Sequence, residues 1–321
     1  MLIRPWILCA AAVAALGLGA CSGSGEPSLA GEHGPTTWHL QAGAADSTQA
    51  FQGLAFYPAS ITIDAGDSIE WTFPAGEPHT VSLLGAGQAT PPPATDPNVA
   101  NPAGGNTYDG STYVSSGFKL LGGTYRLRFP KPGTYTVYCL IHQPEMQLVI
   151  NVAPATSLYP STQAQLTSTG SSSAAADIAA AKQSTALFPY AGTADQLAAG
   201  IAPGGATGAP STSTVMRFLD SSDATNVTET VPLGTTVTWT NLSNNAPHTV
   251  TFGIAGQPFP EINPFAPPSG GSTYNGTAIV NSGPLFPGQS FSLTFTARGT
   301  FQYHCLFHDD TENMIATIVV V

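Results

Sequence analysis

Two groups of four residues in this chain could each hold a soft metal ion. The first is His79, Cys139, His142 and Met146; the second is His248, Cys305, His308 and Met314. In each group one histidine stands alone, while the other three residues crowd into one late loop. The loop reads Cys-x2-His-x3-Met in the first group and Cys-x2-His-x5-Met in the second. Two imidazoles and a thiolate in a trigonal plane, with a weak axial thioether, make the donor set of a blue (type 1) copper site. Thiolate and thioether favour Cu(I), whereas imidazole serves both oxidation states. A geometry acceptable to both lets one electron come and go with little rearrangement. A lone buried Met or Cys is ordinarily core filler. Here the chain has only four Met and seven His, and the whole constellation occurs twice.

The recurrence extends beyond the ligands. Tyr108, Gly110, Val114, Ser116, Gly117, Gly122, Leu127, Phe129, Gly133, Cys139, Leu140 and His142 each find the same residue 166 positions later, from Tyr274 to His308. Upstream, GDSIEWTFPAGEPHTV echoes GTTVTWTNLSNNAPHTV with one residue inserted, which matches His79 to His248 and Trp71 to Trp239. A unit this long is a duplicated domain and not a solenoid repeat. Both halves alternate apolar and polar residues between Gly turns, as in SITIDAGDSIEWTF and TETVPLGTTVTWTN, which predicts strands and hairpins. The expected class is therefore all-β, with two tandem β-sandwiches at 36–153 and 212–321. Residues 154–211 are rich in Ser, Ala, Thr and Gly and read as a linker. Only 174–187 has the propensity for a short helix there, ending before Pro189.

Composition excludes other classes. Charged residues are 8% of the chain, against roughly 25% in an average domain. The net charge of −11, with no basic stripe, excludes a nucleic-acid partner. A hydrophobic share of 42% is enough for cores and argues against disorder. Residues 1–20 carry Arg4 and then an apolar run too short to span a bilayer, as a secretory signal does. The run ends Leu18-Gly19-Ala20-Cys21, which resembles the bacterial lipoprotein cleavage box. Cys21 would carry lipid and 21–35 would be a flexible tether. The expected location is outside the cytoplasm, periplasmic or at the outer cell surface, anchored to a membrane by lipid. Cys9 leaves with the signal, so Cys139 and Cys305 remain as thiolates and not as a disulfide.

PHTV, a Pro/Gly-rich insertion and GTYTVYCLIHQPEM together resemble the plastocyanin/azurin family of cupredoxins. The resemblance covers about 36–153 and 212–321. It implies a Greek-key sandwich with one type 1 copper per domain, and His79, Cys139, His142, Met146 and His248, Cys305, His308, Met314 as the ligands. It also implies a carrier that cycles Cu(I)/Cu(II) and exchanges electrons with a redox protein such as a cytochrome, an oxidase or another copper protein. Thr80 and Thr249 stand where the family often has Asn. The second loop is longer, and Glu312 sits at the offset that Met146 has from His142; Met314 is preferred because IATIVVV follows it as QLVINV follows Met146.

Two other readings use the same ligands: copper storage or delivery, and a two-domain copper oxidase or nitrite reductase-like enzyme. The enzyme would need interface coppers, and only His33, His39 and His304 are left to supply them. Electron exchange is expected through His142 and His308, rimmed by Leu140-Ile141 and Leu306-Phe307. Asp309, Asp310 and Glu312 are expected to give the second site an acidic edge that favours cationic partners.

Overall fold

The computed structural model describes residues 34–94, 96–186, 196–201, 212–219, 228–243 and 246–321. The signal segment, Cys21, His33 and Pro189 lie outside the described residues. The first half forms β1 (Thr37–Ala45), β2 (Phe51–Tyr57), β3 (Ser60–Asp64), β4 (Ser68–Thr72), β5 (Ser82–Leu83), β6 (Pro102–Ala103), β7 (Val114–Ser116), β8 (Thr124–Arg128), β9 (Gly133–Tyr138) and β10 (Gln147–Ala153). After helix α1 (Gln163–Ala186) come β11 (Gln196–Ile201), β12 (Ser213–Leu219), β13 (Thr228–Val231), β14 (Thr236–Leu242), β15 (Thr251–Phe252), β16 (Thr273–Tyr274), β17 (Val280–Asn281), β18 (Ser290–Phe295), β19 (Gly299–His304) and β20 (Ile315–Val320).

The duplication is visible in the pairing. β1 runs parallel to β4 and antiparallel to β2, as β11 does with β14 and β12. The opposing sheets run β3-β10-β9-β5-β7-β6 in the first half and β13-β20-β19-β15-β17 in the second. Period-2 patterning sets which face is buried. Leu148, Ile150 and Val152 of β10 point inward, as do Ala316, Ile318 and Val320 of β20. One core gathers Trp38, Trp71, Phe73 and Phe129; the other gathers Trp239, Phe252, Phe295 and Tyr303.

The two sandwiches are fused. β2 and β12 pair antiparallel, Phe51 to Gly53 against Val215 to Ser213, so one nine-stranded sheet runs β16-β18-β14-β11-β12-β2-β1-β4-β8 through both domains. This places the late loops of the two domains against each other.

Two expectations for 154–211 need correction. Gln196–Ile201 is a strand between β12 and β14, so the second sandwich takes in residues before 212. The helix begins eleven residues before the expected 174, at Gln163, and at ~1.5 Å per residue it is about 36 Å long. A capping box starts it. Gln165 N–H donates to Thr162 Oγ1 (3.2 Å), and Thr162 N–H donates to Gln165 Oε1 (2.8 Å). Tertiary contact then carries the weak Ser/Thr/Gly stretch that follows. Leu166 joins the first core, and a Cβ on Gly170 would lie 2.9 Å from the Tyr57 carbonyl carbon. Further along, Asp177 accepts hydrogen bonds from the Tyr57 hydroxyl (2.5 Å) and the Thr212 hydroxyl (3.0 Å). The linker is thus a strut packed across both halves of the shared sheet. Among the described residues no helix is long and apolar enough to cross a membrane.

Candidate metal centres

β5 and β9 bring the lone histidine and the late loop of the first domain together. His79 is fixed by a two-way backbone bridge with Lys119, and Cys139 follows directly on β9. His79 Nδ1 and His142 Nδ1 lie 3.1 Å apart, and Cys139 Sγ is 3.8 Å and 3.4 Å from them. In the second domain Leu285 bridges His248, and Cys305 Sγ is 3.6 Å from His248 Nδ1 and 3.2 Å from His308 Nδ1. All six residues are fully buried. Three donors each about 2.0–2.3 Å from a common centre would form a triangle with edges of about 3.5–4 Å. The observed edges, 3.1–3.8 Å, lie within that range or a few tenths of an ångström below it, so the donor sets fit copper in trigonal coordination.

The surroundings prepare the sulfur. Thr80 N–H donates to Cys139 Sγ and Thr249 N–H to Cys305 Sγ, both at 3.4 Å. The same threonines accept from the backbone N–H of Leu140 and Leu306 at 2.8 Å, which ties each ligand loop to the strand of the first histidine. Burial works against the thiolate of Cys139, but the His142 charge and hydrogen bonds from both histidines outweigh it and hold the thiol well below its ordinary pKa. Burial likewise opposes His142, yet the Cys139 thiolate and then Glu77 raise it to about 9. His79 is lowered chiefly by burial and stays neutral.

Both methionines are buried and hold equivalent places. Cys139 N–H donates to Met146 O and Cys305 N–H to Met314 O, each at 3.1 Å. Met146 N–H donates to His142 O (3.0 Å) and Met314 N–H to His308 O (2.8 Å). Glu312 does something else: its side chain accepts from Gln52 Nε2 of the first domain at 3.1 Å, and its carbonyl accepts from Arg217. The two extra loop residues serve the domain interface and leave Met314 in register with Met146.

Gly43 makes room for the first site. Its φ is +74°, and a Cβ there would stand 2.2 Å from His79 Nε2. Gly43→Ala is expected to push the ring off its position and weaken copper binding at the first centre by about tenfold or more, as loss of support around a ligating His does. The second centre should be unaffected, as competition titration of the two sites would show.

Two expectations are revised here. His142 and His308 are not solvent outlets. Both are sealed at the domain junction, where their Nε2 atoms converge on one carboxyl, that of Glu77, at 3.0 Å and 2.5 Å. The expected acidic edge shrinks to Asp310, which is exposed: Glu312 is buried, and Asp309 is engaged with His304 Nδ1 at 3.0 Å. His304 also stacks on Phe259, with ring centroids 3.6 Å apart, so it is committed to packing. His39 lies on β1 with an exposed side chain, 3.6 Å from Glu70. Glu77 was missed by the sequence reading. The available signal was a charge, rare in this chain, at the one position beside PHTV where the repeat has Ala246 instead.

Residues 44–153 match the family of copper binding proteins, plastocyanin/azurin family, and form a domain of it. That family binds copper, and its general role is electron transfer. Among solved structures, a novel purple cupredoxin from Nitrosopumilus maritimus is 22% identical over 39% of this chain and 98% of its own, with a TM-score of 0.24. Amicyanin from Paracoccus versutus is 15% identical over 36% of this chain and 81% of its own, with a TM-score of 0.25. No curated protein matches the chain in sequence.

Proposed function

We propose that the chain is a two-site electron-transfer protein, with type 1 copper held by His79, Cys139, His142 and Met146 in one domain and by His248, Cys305, His308 and Met314 in the other. The observation that carries this reading is the doubled, fully buried His/Cys/His triangle, each with an N–H aimed at the sulfur and a Met in the same backbone register. Bound copper would supply a one-electron Cu(I)/Cu(II) couple. The protein's part is to hold the donors in place, donate N–H bonds to the thiolates and exclude water. The reading is non-enzymatic: His304 is held by Asp309 and Phe259, and His39 lies out on β1, so neither joins an interface metal group.

Export and a lipid anchor on Cys21 would place the carrier at a membrane surface, facing redox protein partners. With His142 and His308 enclosed, contact with partners is better served by the loops that bridge the other two histidines. Leu120 (61% exposed) follows Lys119, and its repeat counterpart Phe286 (38% exposed) follows Leu285.

Copper titration of the metal-free protein, followed by optical and EPR spectroscopy, tests the assignment. Two coppers per chain with an intense visible thiolate-to-copper band are expected. Bound copper without such a band would overturn the blue-copper reading, and three or more coppers would favour an enzyme.

A further inference from the structure

Glu77 belongs by sequence to the first domain, two residues before His79, yet it meets a candidate ligand from each domain. Oε1 lies 3.0 Å from His142 Nε2 and Oε2 lies 2.5 Å from His308 Nε2. The side chain is buried, and Gln52 Oε1 accepts its backbone N–H at 3.4 Å. A carboxylate is an acceptor only, so both Nε2 atoms must carry the proton. In the neutral ring that a metal requires, this leaves the lone pair on Nδ1, and in both domains Nδ1 is the nitrogen that faces the cysteine sulfur. The second domain has no counterpart to this group: Ala246 occupies the equivalent place.

We propose that Glu77 is a shared positioning residue that fixes the ring and tautomer of both His142 and His308, so that the second domain's metal centre is completed by a residue of the first. This rests on the copper reading above. The two centres are then halves of one hydrogen-bonded unit, His142–Glu77–His308, and are not independent modules. Glutamine in place of Glu77 offers one acceptor oxygen and one NH2 donor. One imidazole would face that donor and respond by moving its proton to Nδ1, which removes the lone pair a metal needs.

The test isolates the second centre in full-length protein with Cys139→Ser, then adds Glu77→Gln. Cu(I) affinity is measured by chelator competition. The histidine ring N–H signals of the copper-free proteins are followed by 15N-edited NMR. Glu77→Gln is expected to weaken the second centre by about 10–100-fold, the usual cost of losing a ligand's hydrogen-bond partner. It should also shift or remove the exchange-protected Nε2–H signal of His142 or His308, whichever faces the amide NH2. A merely structural interface residue would leave that tautomer signal in place. Glu77→Asp, which keeps a carboxylate, should stay closer to the parent in both readouts. Nε2–H signals of both His142 and His308 left unchanged overturn the proposal, and so does an unchanged affinity where the His308 signal has moved. Failure of the Cys139→Ser parent to bind any copper overturns the copper reading itself and the proposal with it, and is visible before Glu77 is touched.

Discussion

Cys305→Ser should leave the chain with one copper, about half of its thiolate-to-copper absorption and an intact fold, and Cys139→Ser should do the same from the other side. The sulfur is the only thiolate in each centre, and both cysteines are fully buried. Serine nearly preserves the volume but not the chemistry: its hydroxyl keeps its proton near neutrality and is a poor partner for Cu(I). The Thr80 and Thr249 N–H groups that now point at sulfur would still find an oxygen to bond. Copper analysis with difference spectra of the two variants decides the matter, and the two difference spectra should sum to the parent band. If either variant kept both components, its cysteine would not be a copper ligand.

The largest loss of stability is expected at a residue remote from either centre. Asp67, 1% exposed, accepts four hydrogen bonds: from Thr36 N–H (2.7 Å), Trp38 Nε1 (3.0 Å), Asp64 N–H (3.0 Å) and Tyr159 OH (2.9 Å). These donors come from the start of β1, the turn before β4 and the beginning of the linker, so one carboxyl gathers three segments distant in sequence. Asp67→Ala removes this acceptor from all four, although the Tyr159 hydroxyl also reaches Thr36 Oγ1 at 3.3 Å. Each unsatisfied buried donor costs about 1–3 kcal/mol, and water entering the gap recovers part of that. We expect a net loss of about 3–5 kcal/mol. Denaturant unfolding of the metal-free protein would measure it, and a loss below about 1 kcal/mol would show that the donors find other partners. Below the transition the copper spectrum should be unchanged.

How far the sequence revealed this arrangement varied with distance along the chain. The two candidate His/Cys/His groups were readable because a strand end and a short loop fix them locally, and because the duplication repeats them. The strands carrying Trp71, Leu148 and Ile318 announced themselves by alternation. Gln196–Ile201 did not: QLAAGI has small residues where strands favour branched ones, and its neighbours β12 and β14 impose its conformation. The capping box at Thr162 and Gln165 was legible but overlooked beside the poor propensity of TSTGSSS. The enclosure of His142 and His308 could not be read from local pattern at all. It follows from the pairing of β2 with β12, residues about 160 positions apart, which turns the two late loops inward.

That same pairing decides what happens when the chain is divided. β2 and β12 are edge strands only if the halves are separated; in the intact protein each covers the other. A cut in the linker would give two fragments, each with a raw row of unpaired backbone groups, and exposed edges of this kind recruit further strands. Each fragment alone would be prone to self-association, while the two together carry complementary edges and would reassemble. The halves of this duplicated chain therefore behave as complementing fragments of one molecule, and a gene-level cut at the repeat boundary is a poor guide to where the protein can be taken apart.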